Sequence, residues 1–421
     1  MLRNFLSSVF RQQKRGPYDH LSQKEIKLQI AELEAASQRL KKQNEVTKTT
    51  KTTRHESKLK INQQQEQRIA IQVAYLGWNY YGFTSSNTEN ENKLPTIEGH
   101  LMKALLQAKL IQDPAMCGFS LSGRTDRHVS GVGQVVGLNV RCSSQERKKG
   151  QLPYLRILNS ILPPDIRVLA WTHVSPQFHA RFDCRSRTYH YYFPTQDLCI
   201  ESMKKAATYL LGDHDFRNFC KFNPSKNLSH YRRTILSVDV SVLSQGGFGR
   251  IEIKGTAFLW HQVRYIVSIL LLVGQQLEKP EIVQWLLDVD KVPSKPEYPL
   301  ASGLPLLLYD CEYNQNGFNW HREPAGRTKE HFQLLWSEQM TKALLYQSFV
   351  NASTNFGSNN IHDDGENRMS KVKRIQLGGR KEIWTTQYKP LMDRRRDEPY
   401  MLKQQKYNAL HNKTQKELIK E

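Results

Sequence analysis

The sequence has few cysteines, and they lack the spacings typical of zinc sites or disulfide frameworks. Six cysteines occur in 421 residues, and they form no C-x-x-C pair and no paired Cys/His spacing that would suit zinc. The pattern supports neither kind of site and favours reduced thiols in an intracellular protein. We therefore expect no bound metal ion.

Long apolar runs are also missing. No stretch approaches the roughly 18 uninterrupted apolar residues of a membrane-spanning helix, and the most apolar segment, Phe258 to Leu272, is interrupted by Trp-His-Gln and Arg264. The first eleven residues are basic and acid-free, which is a weak match to a mitochondrial presequence, and they lack the apolar core of a secretory signal. We expect no membrane span and a location in the nucleus and/or the cytoplasm, with mitochondrial import as the alternative.

Acidic residues are outnumbered by basic ones. The chain has 61 Lys and Arg against 40 Asp and Glu, which gives a net charge of +21. Such an excess predicts a polyanionic partner, with nucleic acid as the first candidate and an anionic membrane surface as the competitor.

The chain of 421 residues exceeds what one hydrophobic core normally supports, so we expect more than one folded part. Changes in composition along the chain indicate four segments. Residues 1–67 are expected to form a basic extension with a short helix and a flexible Lys/Thr/Gln-rich linker. Residues 68–195 and 196–313 each combine strands with helices and are expected to form the two catalytic halves. Residues 314–421 are expected to form a polar, basic extension that is partly disordered near 353–367.

Periodicity predicts the elements of the two central segments. Apolar alternation indicates strands near 68–75, 134–140, 166–174, 188–193, 235–243, 250–256 and 306–311, and helical spacing indicates helices near 97–108, 154–162, 200–211, 258–272 and 281–287. The glycine-rich segment 246–249 predicts a hairpin. This order favours an α+β protein with helices on one face of a sheet over a doubly wound parallel sheet.

The segment 122–131, S-G-R-T-D-R-H-V-S-G, has the composition of a loop that presents one aspartate. Arg124 and Arg127 flank Asp126, and glycines on both sides allow sharp turns. Cations at close range favour the ionised carboxylate, so Asp126 could serve as a nucleophile or a base. A structural ion pair in a turn is the commoner explanation of such a motif taken alone.

Five segments in this order resemble the tRNA pseudouridine synthases of the TruA type. They are G-R-T-D at 123–126, R-T-Y-H-Y at 187–191, G-D-H-D-F at 212–216, F-L-W-H-Q-V-R-Y-I-V at 258–267 with Gly274, and A-S-G-L at 301–304. The resemblance covers roughly residues 68–313. The helical N-terminal segment and Q-Y-K-P-L-M-D-R at 387–394 resemble the eukaryotic branch that modifies positions 38 and 39 of the tRNA anticodon arm.

The resemblance implies a pseudouridine synthase fold, in which two RRM-like (ferredoxin-like) halves form a central antiparallel or mixed sheet. It also implies isomerisation of a uridine in tRNA without cofactor or metal. Asp126 would be the catalytic carboxylate, which attacks the ribose anomeric carbon or uracil C6, or abstracts the 2′ proton. Arg264 would pair with Asp126 and Tyr189 would stack on the uracil, while Leu304 and Arg124 would contact the flipped nucleotide. tRNA would be the partner, and a homodimer is an open alternative to a monomer.

The residue chemistry agrees with these roles. A uracil in a stem must be extruded before it can react, and stacking on an aromatic ring contributes about 1 to 3 kcal/mol per base. Tyr189 suits that task, although an aromatic side chain in the sheet core is an equal alternative. Arg264 lies in an apolar helix, so its guanidinium must reach water or a buried carboxylate. We expect His128 and His261 to pack or to contact RNA, and we assign His261 to substrate binding.

Two departures from the family pattern bear on activity. Arg127 and His128 stand where Lys-Gly is usual, and Gly131 stands where alanine is usual. A positive φ at residue 128 would place His128 in a conformation that L-residues rarely adopt. The altered turn leaves open a catalytically silent tRNA-binding or RNA-folding protein that retains the scaffold. A basic scaffold or chromatin protein is a third hypothesis.

Overall fold

The computed structural model describes most of the chain from residue 66 onwards. The predicted N-terminal helix and most of the segment predicted to be disordered, 353–367, lie outside the described residues. Those residues are 66–84, 94–142, 152–223, 228–244, 246–314, 318–322, 326–355, 373–379 and 381–418.

A ten-stranded mixed sheet organises the described part of the chain. The strands are β1 (Glu66–Tyr75), β2 (Ser120–Leu121), β3 (Ser130–Arg141), β4 (Ile166–His173), β5 (Ser186–Pro194), β6 (Gly212–Asp215), β7 (Arg232–Val242), β8 (Phe248–Gly255), β9 (Leu306–Glu312) and β10 (His321–Arg322). Apart from β2, which pairs with β3, the order of the strands in the sheet is β10-β4-β1-β3-β9-β5-β8-β7-β6.

The two halves of the sheet meet at the parallel pair β3–β9, where Ser130 lies beside Leu307. The other strand pairs described in this sheet are antiparallel. The predicted mixed α+β sheet is therefore confirmed, and β7 and β8 form the predicted hairpin. The division of the chain into four segments stays a prediction. Strand β5 belongs to the predicted segment 68–195, but it pairs with β8 and β9 of the segment 196–313.

Helices cover one face of each half. Thr96 caps the first helix, because its hydroxyl accepts a hydrogen bond from Gly99 N at 3.1 Å. None of the helices in the described ranges is long and apolar enough to cross a bilayer. The helices are α1 (Ile97–Gln107), α2 (Tyr154–Asn159), α3 (Ile200–Thr208), α4 (Gln262–Gly274), α5 (Ile282–Leu287), α6 (Arg327–Asn355) and α7 (Tyr400–Leu418), and a separate hairpin consists of β11 (Lys373–Gln376) and β12 (Glu382–Thr385).

Strand alternation separates the buried surfaces. In the first half, Ile69 and Ile71 pack with α1 and α2, whereas Ala70 faces a second cluster that contains Phe178. In the second half, Ile251 and Ile253 pack with α3, α4 and α5. Each fully buried aliphatic side chain contributes about 1.5 to 3 kcal/mol, so these clusters hold the strand ends, and the loops that leave them, in fixed positions.

Two findings differ from the sequence analysis or extend it. Helix α4 begins at Gln262 rather than at Phe258, because His261 has a left-handed φ of 63° that an α-helix cannot contain. The C-terminal residues Leu377, Leu391 and Tyr400 lie in the core of the second half. The polar composition of residues 314–421 did not predict α6, α7 or the β11–β12 hairpin.

Candidate active site

The aspartate loop runs from Ser122 to Val129, between β2 and β3, and its first residues are held by buried polar side chains. Arg187 on β5 donates from Nη2 to the Ser122 carbonyl at 3.0 Å. Gln134 on β3 donates from Nε2 to the Gly123 carbonyl at 2.7 Å. Both anchors come from sheet strands, so the loop takes its position from the rigid part of the molecule.

The middle of the loop packs against the segment that follows β1. Phe83 N donates to the Thr125 carbonyl at 3.2 Å, and the hydroxyls of Tyr75 and Thr125 are 2.9 Å apart. The Asp126 carbonyl accepts a hydrogen bond from Val129 N at 3.2 Å, which closes a tight turn. Asp126 therefore lies at the start of a turn, and hydrogen bonds hold the backbone both before it, at Thr125, and after it, at Val129.

The unusual Arg127-His128 pair is accommodated by this same segment. His128 has a φ of 68°, its backbone N donates to the Tyr80 carbonyl at 3.2 Å, and its Nδ1 lies 2.6 Å from the Trp78 carbonyl. The Arg127 guanidinium lies 4.1 Å from the centre of the Tyr81 ring. These contacts offset the cost of the left-handed conformation at His128, so the departure from Lys-Gly leaves an ordered turn.

The side chains of His261 and Arg264, at the start of α4, converge on Asp126. Its Oδ2 lies 3.3 Å from His261 Nε2 and 3.4 Å from Arg264 Nη1. His261 directly precedes the helix and Arg264 lies in its first turn, so both side chains reach the same oxygen. The Asp126 side chain remains 25% exposed, so a substrate can reach the carboxylate.

The environment keeps Asp126 ionised. Burial acts to raise the pKa of the carboxyl, but the hydrogen bond and charge of His261, together with those of Arg264, outweigh it and hold the pKa below its usual value. A carboxylate that is charged, oriented and still partly open has the properties that a nucleophile or base requires.

Arg264 is oriented by a second loop, Leu300 to Leu304, which precedes β9. Its Nε donates to the Ala301 carbonyl at 2.8 Å, so one edge of the guanidinium is fixed while Nη1 faces Asp126. Gly303 lies where a Cβ would come within 2.8 Å of the Arg127 carbonyl. This loop therefore contacts both the arginine and the aspartate loop.

Tyr189 lies beside the aspartate loop, on β5. Its half-buried ring meets Phe258 edge to face, with the centroids 5.2 Å apart, and a Cβ on Gly123 would be 3.9 Å from its hydroxyl. Burial is the main cause that raises the pKa of Tyr189, and the Asp126 charge contributes a little in the same direction. The phenol therefore stays neutral and close to the carboxylate.

Comparison with known proteins identifies the family of this chain. Residues 206–314 match the family described as tRNA pseudouridine synthase. The chain is 38% identical over 353 residues to the human tRNA pseudouridine(38/39) synthase, which covers 76% of this chain and 73% of the human protein. It is 38% identical over 386 residues to the Saccharomyces cerevisiae protein of the same name, with 89% and 85% covered.

The chain belongs to the tRNA pseudouridine synthase family. A more distant relative is tRNA pseudouridine synthase A of Methanosphaerula palustris, 33% identical over 244 residues, which span 58% of this chain and 80% of the relative. The resemblance drawn from the five sequence motifs is confirmed. These synthases are isomerases, and the chain is accordingly a member of an isomerase family.

The structure of this family member places the predicted site residues in one region. Asp126 and Arg264 pair as predicted, and Tyr189 is adjacent to their loop. Arg124 is exposed two residues before Asp126, and Leu304 is 48% exposed beside Gly303. Contacts of these side chains with RNA stay predictions.

Sequence reasoning missed the direct contact between His261 and Asp126. The available signal was the i, i+3 spacing of His261 and Arg264 at a helix start. It also missed the anchoring roles of Arg187 and Gln134, for which the signal was a charged or amide side chain inside an apolar strand. Within the described ranges, no three His, Cys, Asp or Glu side chains group into a metal-ligand set.

Proposed function

We propose that this protein isomerises uridine to pseudouridine in the anticodon arm of tRNA, at positions 38, 39 or both, with Asp126 as the catalytic carboxylate. The observation that carries the proposal is the convergence of His261 and Arg264 on an ionised, partly exposed Asp126. The names of the human and yeast relatives support the substrate and the positions. The net charge of +21 supports a polyanionic substrate.

The isomerisation of uridine requires few groups beyond those of this site. The reaction breaks the bond between uracil N1 and ribose C1′ and forms a bond from uracil C5 to C1′. C5 loses a proton and N1 gains one, so substrate and product have the same atoms and no oxidant or reductant is needed. Asp126 could attack C1′ or uracil C6, or remove the 2′ proton, and all three routes remain open. His261 and Arg264 serve each of them by keeping the carboxylate charged. Tyr189 would stack on the extruded uracil.

Exposed aromatic side chains near the site support RNA binding. Trp78 and Tyr81 are 40% and 37% exposed, and they lie on the segment that contacts Arg127 and His128. Trp260, 41% exposed, precedes His261 and has the Lys221 ammonium 4.6 Å from its ring centre. Aromatic rings paired with cations suit unstacked nucleotides. We propose that these residues, with Arg124 and Leu304, hold the nucleotides around the target uridine.

The experiment that tests the function is positional mapping of the product. Purified protein is incubated with a tRNA transcript that has uridine at positions 38 and 39, and pseudouridine is located chemically. Matched transcripts with cytidine at one or both positions serve as controls. We expect product at 38, 39 or both and none where cytidine replaces uridine. Tight binding without any product would instead favour the silent RNA-binding alternative.

We further propose that two copies associate through α6. This 29-residue helix exposes eight large apolar side chains, and exposed apolar side chains that form a patch mark protein interaction sites. A second copy would cover them without any other component. We expect a dimer by light scattering, converted to monomer by Trp336→Glu; a wild-type monomer at micromolar concentration would contradict this. The eight side chains are Leu334, Trp336, Met340, Leu344, Leu345, Tyr346, Phe349 and Val350.

For the compartment, we propose the nucleus and/or the cytoplasm, on the basis of the weak match of the N-terminus to a presequence. Imaging of the chain with a C-terminal fluorescent tag tests this. Signal confined to mitochondria would contradict it.

A further inference from the structure

The β11–β12 hairpin contacts the loop that orients Arg264. The Leu377 carbonyl, which directly follows β11, accepts a hydrogen bond from Ser302 N at 2.9 Å. Lys381, which directly precedes β12, donates from Nζ to the Leu300 carbonyl at 2.6 Å. The hairpin turn therefore holds the Leu300–Leu304 loop at two points, one on each side of Ala301.

Ala301 is the residue through which this loop reaches the catalytic pair. Its carbonyl accepts the hydrogen bond from Arg264 Nε, while Arg264 Nη1 faces Asp126. The next glycine, Gly303, lies where a Cβ would come within 3.7 Å of Arg264 Cζ. A shift of the loop would therefore turn the guanidinium relative to the Asp126 carboxylate.

The hairpin is itself firmly attached to the second half of the sheet. The Gln275 side chain, at the end of α4, donates to the Gln376 carbonyl at 3.0 Å and accepts from Gln376 N at 2.7 Å. The Tyr191 hydroxyl donates to the Leu377 carbonyl at 3.2 Å, and Leu377 is fully buried. The hairpin thus connects the C-terminal end of α4 to the Leu300–Leu304 loop, which in turn orients Arg264 at the N-terminal end of the same helix.

We propose that the β11–β12 hairpin is a positioning element of the catalytic site, in which Lys381 fixes the Leu300–Leu304 loop so that Arg264 stays directed at Asp126. This inference rests on the proposed function and deepens it, because it assigns a role in catalysis to the C-terminal extension. Burial, followed by the nearby Arg264 guanidinium, lowers the pKa of Lys381, which agrees with the proximity of the two cations. Lys381 acts through Arg264 and is not a catalytic residue.

The test compares Lys381→Met with Lys389→Met, which removes the same charge from an exposed position on the same extension. Single-turnover rates at saturating enzyme, the tRNA Kd with its salt dependence, and melting temperatures are measured for both. We expect Lys381→Met to lower the rate about tenfold relative to Lys389→Met, since small displacements of catalytic groups have large effects. We expect equal Kd values and Lys381→Arg to restore most of the rate.

The pH dependence of the single-turnover rate adds a second measurement, which would not change if Lys381 only stabilised the fold. A looser contact with Arg264 leaves the Asp126 carboxylate less stabilised, so the acid limb of the rate profile should move to higher pH in Lys381→Met alone. Titration of the Asp126 carboxyl by carbon-13 NMR makes the same comparison without turnover. This separates the inference from the proposed function, which fails if the wild type makes no pseudouridine.

Two results would overturn the inference. One is the same rate and the same Asp126 titration in Lys381→Met and Lys389→Met. The other is a weaker Kd with a smaller salt slope and an unchanged single-turnover rate, because that pattern would place Lys381 on the tRNA phosphates.

Discussion

Asp126 combines two properties that usually oppose each other, burial and ionisation. Most of its side chain is covered, which penalises the charged form. His261 and Arg264 outweigh that penalty, and the remaining exposed quarter of the side chain admits a substrate. Because both partners act on one oxygen, removal of either should change the titration of the carboxylate rather than its position in the loop.

The first prediction concerns His261. His261→Gln removes a group that lowers the pKa of Asp126, so the folded-state pKa should rise and the carboxylate should be lost at a higher pH on acidification. The acid limb of the single-turnover rate should therefore move to higher pH, measured against His214→Gln as the control. Coincident acid limbs in the two variants would show that His261 does not tune the carboxylate.

The second prediction concerns Gly131, which stands where the family usually has alanine. A Cβ here would come within 2.7 Å of the Tyr75 ring and hydroxyl, and Tyr75 is buried and bonded to Thr125 of the aspartate loop. We expect Gly131→Ala to reduce the free energy of unfolding by about 1 to 3 kcal/mol, as overpacking does.

Urea denaturation measures the change, with Gly246→Ala as the control, since a Cβ on Gly246 would meet no atom within 4 Å. The loss should shrink in the background Tyr75→Leu, which vacates the space. An equal loss in both backgrounds would mean that Tyr75 is not the obstacle.

At the scale of elements, the C-terminal helix α7 begins inside the core of the second half. The Tyr400 hydroxyl donates to the Arg217 carbonyl at 2.6 Å, and its ring packs on Tyr231 with the centroids 4.9 Å apart. The tail is thus part of the folded unit, which the polar composition of the segment conceals. Its first residue, Tyr400, is buried in that core.

The third prediction follows from this attachment. Tyr400→Ala should lower the free energy of unfolding by about 3 to 5 kcal/mol, the usual cost of removing a buried aromatic ring, and Tyr400→Phe by about 1 kcal/mol, the net value of a hydrogen bond. Met401→Ala, at a 78% exposed neighbour, should be nearly neutral. Urea denaturation that gave the same value for Tyr400→Ala and Met401→Ala would refute the attachment.

Local sequence patterns predicted the elements in which the apolar period of the sequence matches the alternation of buried side chains in the structure. The alternation beginning at Arg68 matched β1, and the glycine-rich segment matched the β7–β8 turn. The start of α4 was wrong, because the apolar spacing of 258–267 continues through His261 and does not reveal its positive φ. The contacts of the β11–β12 hairpin with the Leu300–Leu304 loop were missed because their acceptors are backbone carbonyls, which carry no sequence signature.

At the scale of the whole molecule, the site is assembled from distant parts of the chain. Asp126 follows β2, Tyr189 lies on β5 and Arg264 on α4, and the sheet brings them together where its two halves join. The family resemblance predicted the pairing of Asp126 with Arg264, and the residue chemistry agreed with it, because a guanidinium in an apolar helix must reach water or a carboxylate. The anchoring of that pair by the C-terminal hairpin was not, because no local pattern links the two segments.

The measurement that tests the account most directly is Asp126→Asn on the tRNA substrate, with Asp290→Asn, at an exposed position, as the control. Asparagine keeps the shape of the side chain and removes its charge and nucleophilicity. We predict that pseudouridine formation falls at least about a thousandfold, while tRNA binding persists and weakens steeply with salt as in the wild type. Pseudouridine formation near the wild-type rate in Asp126→Asn would contradict the account.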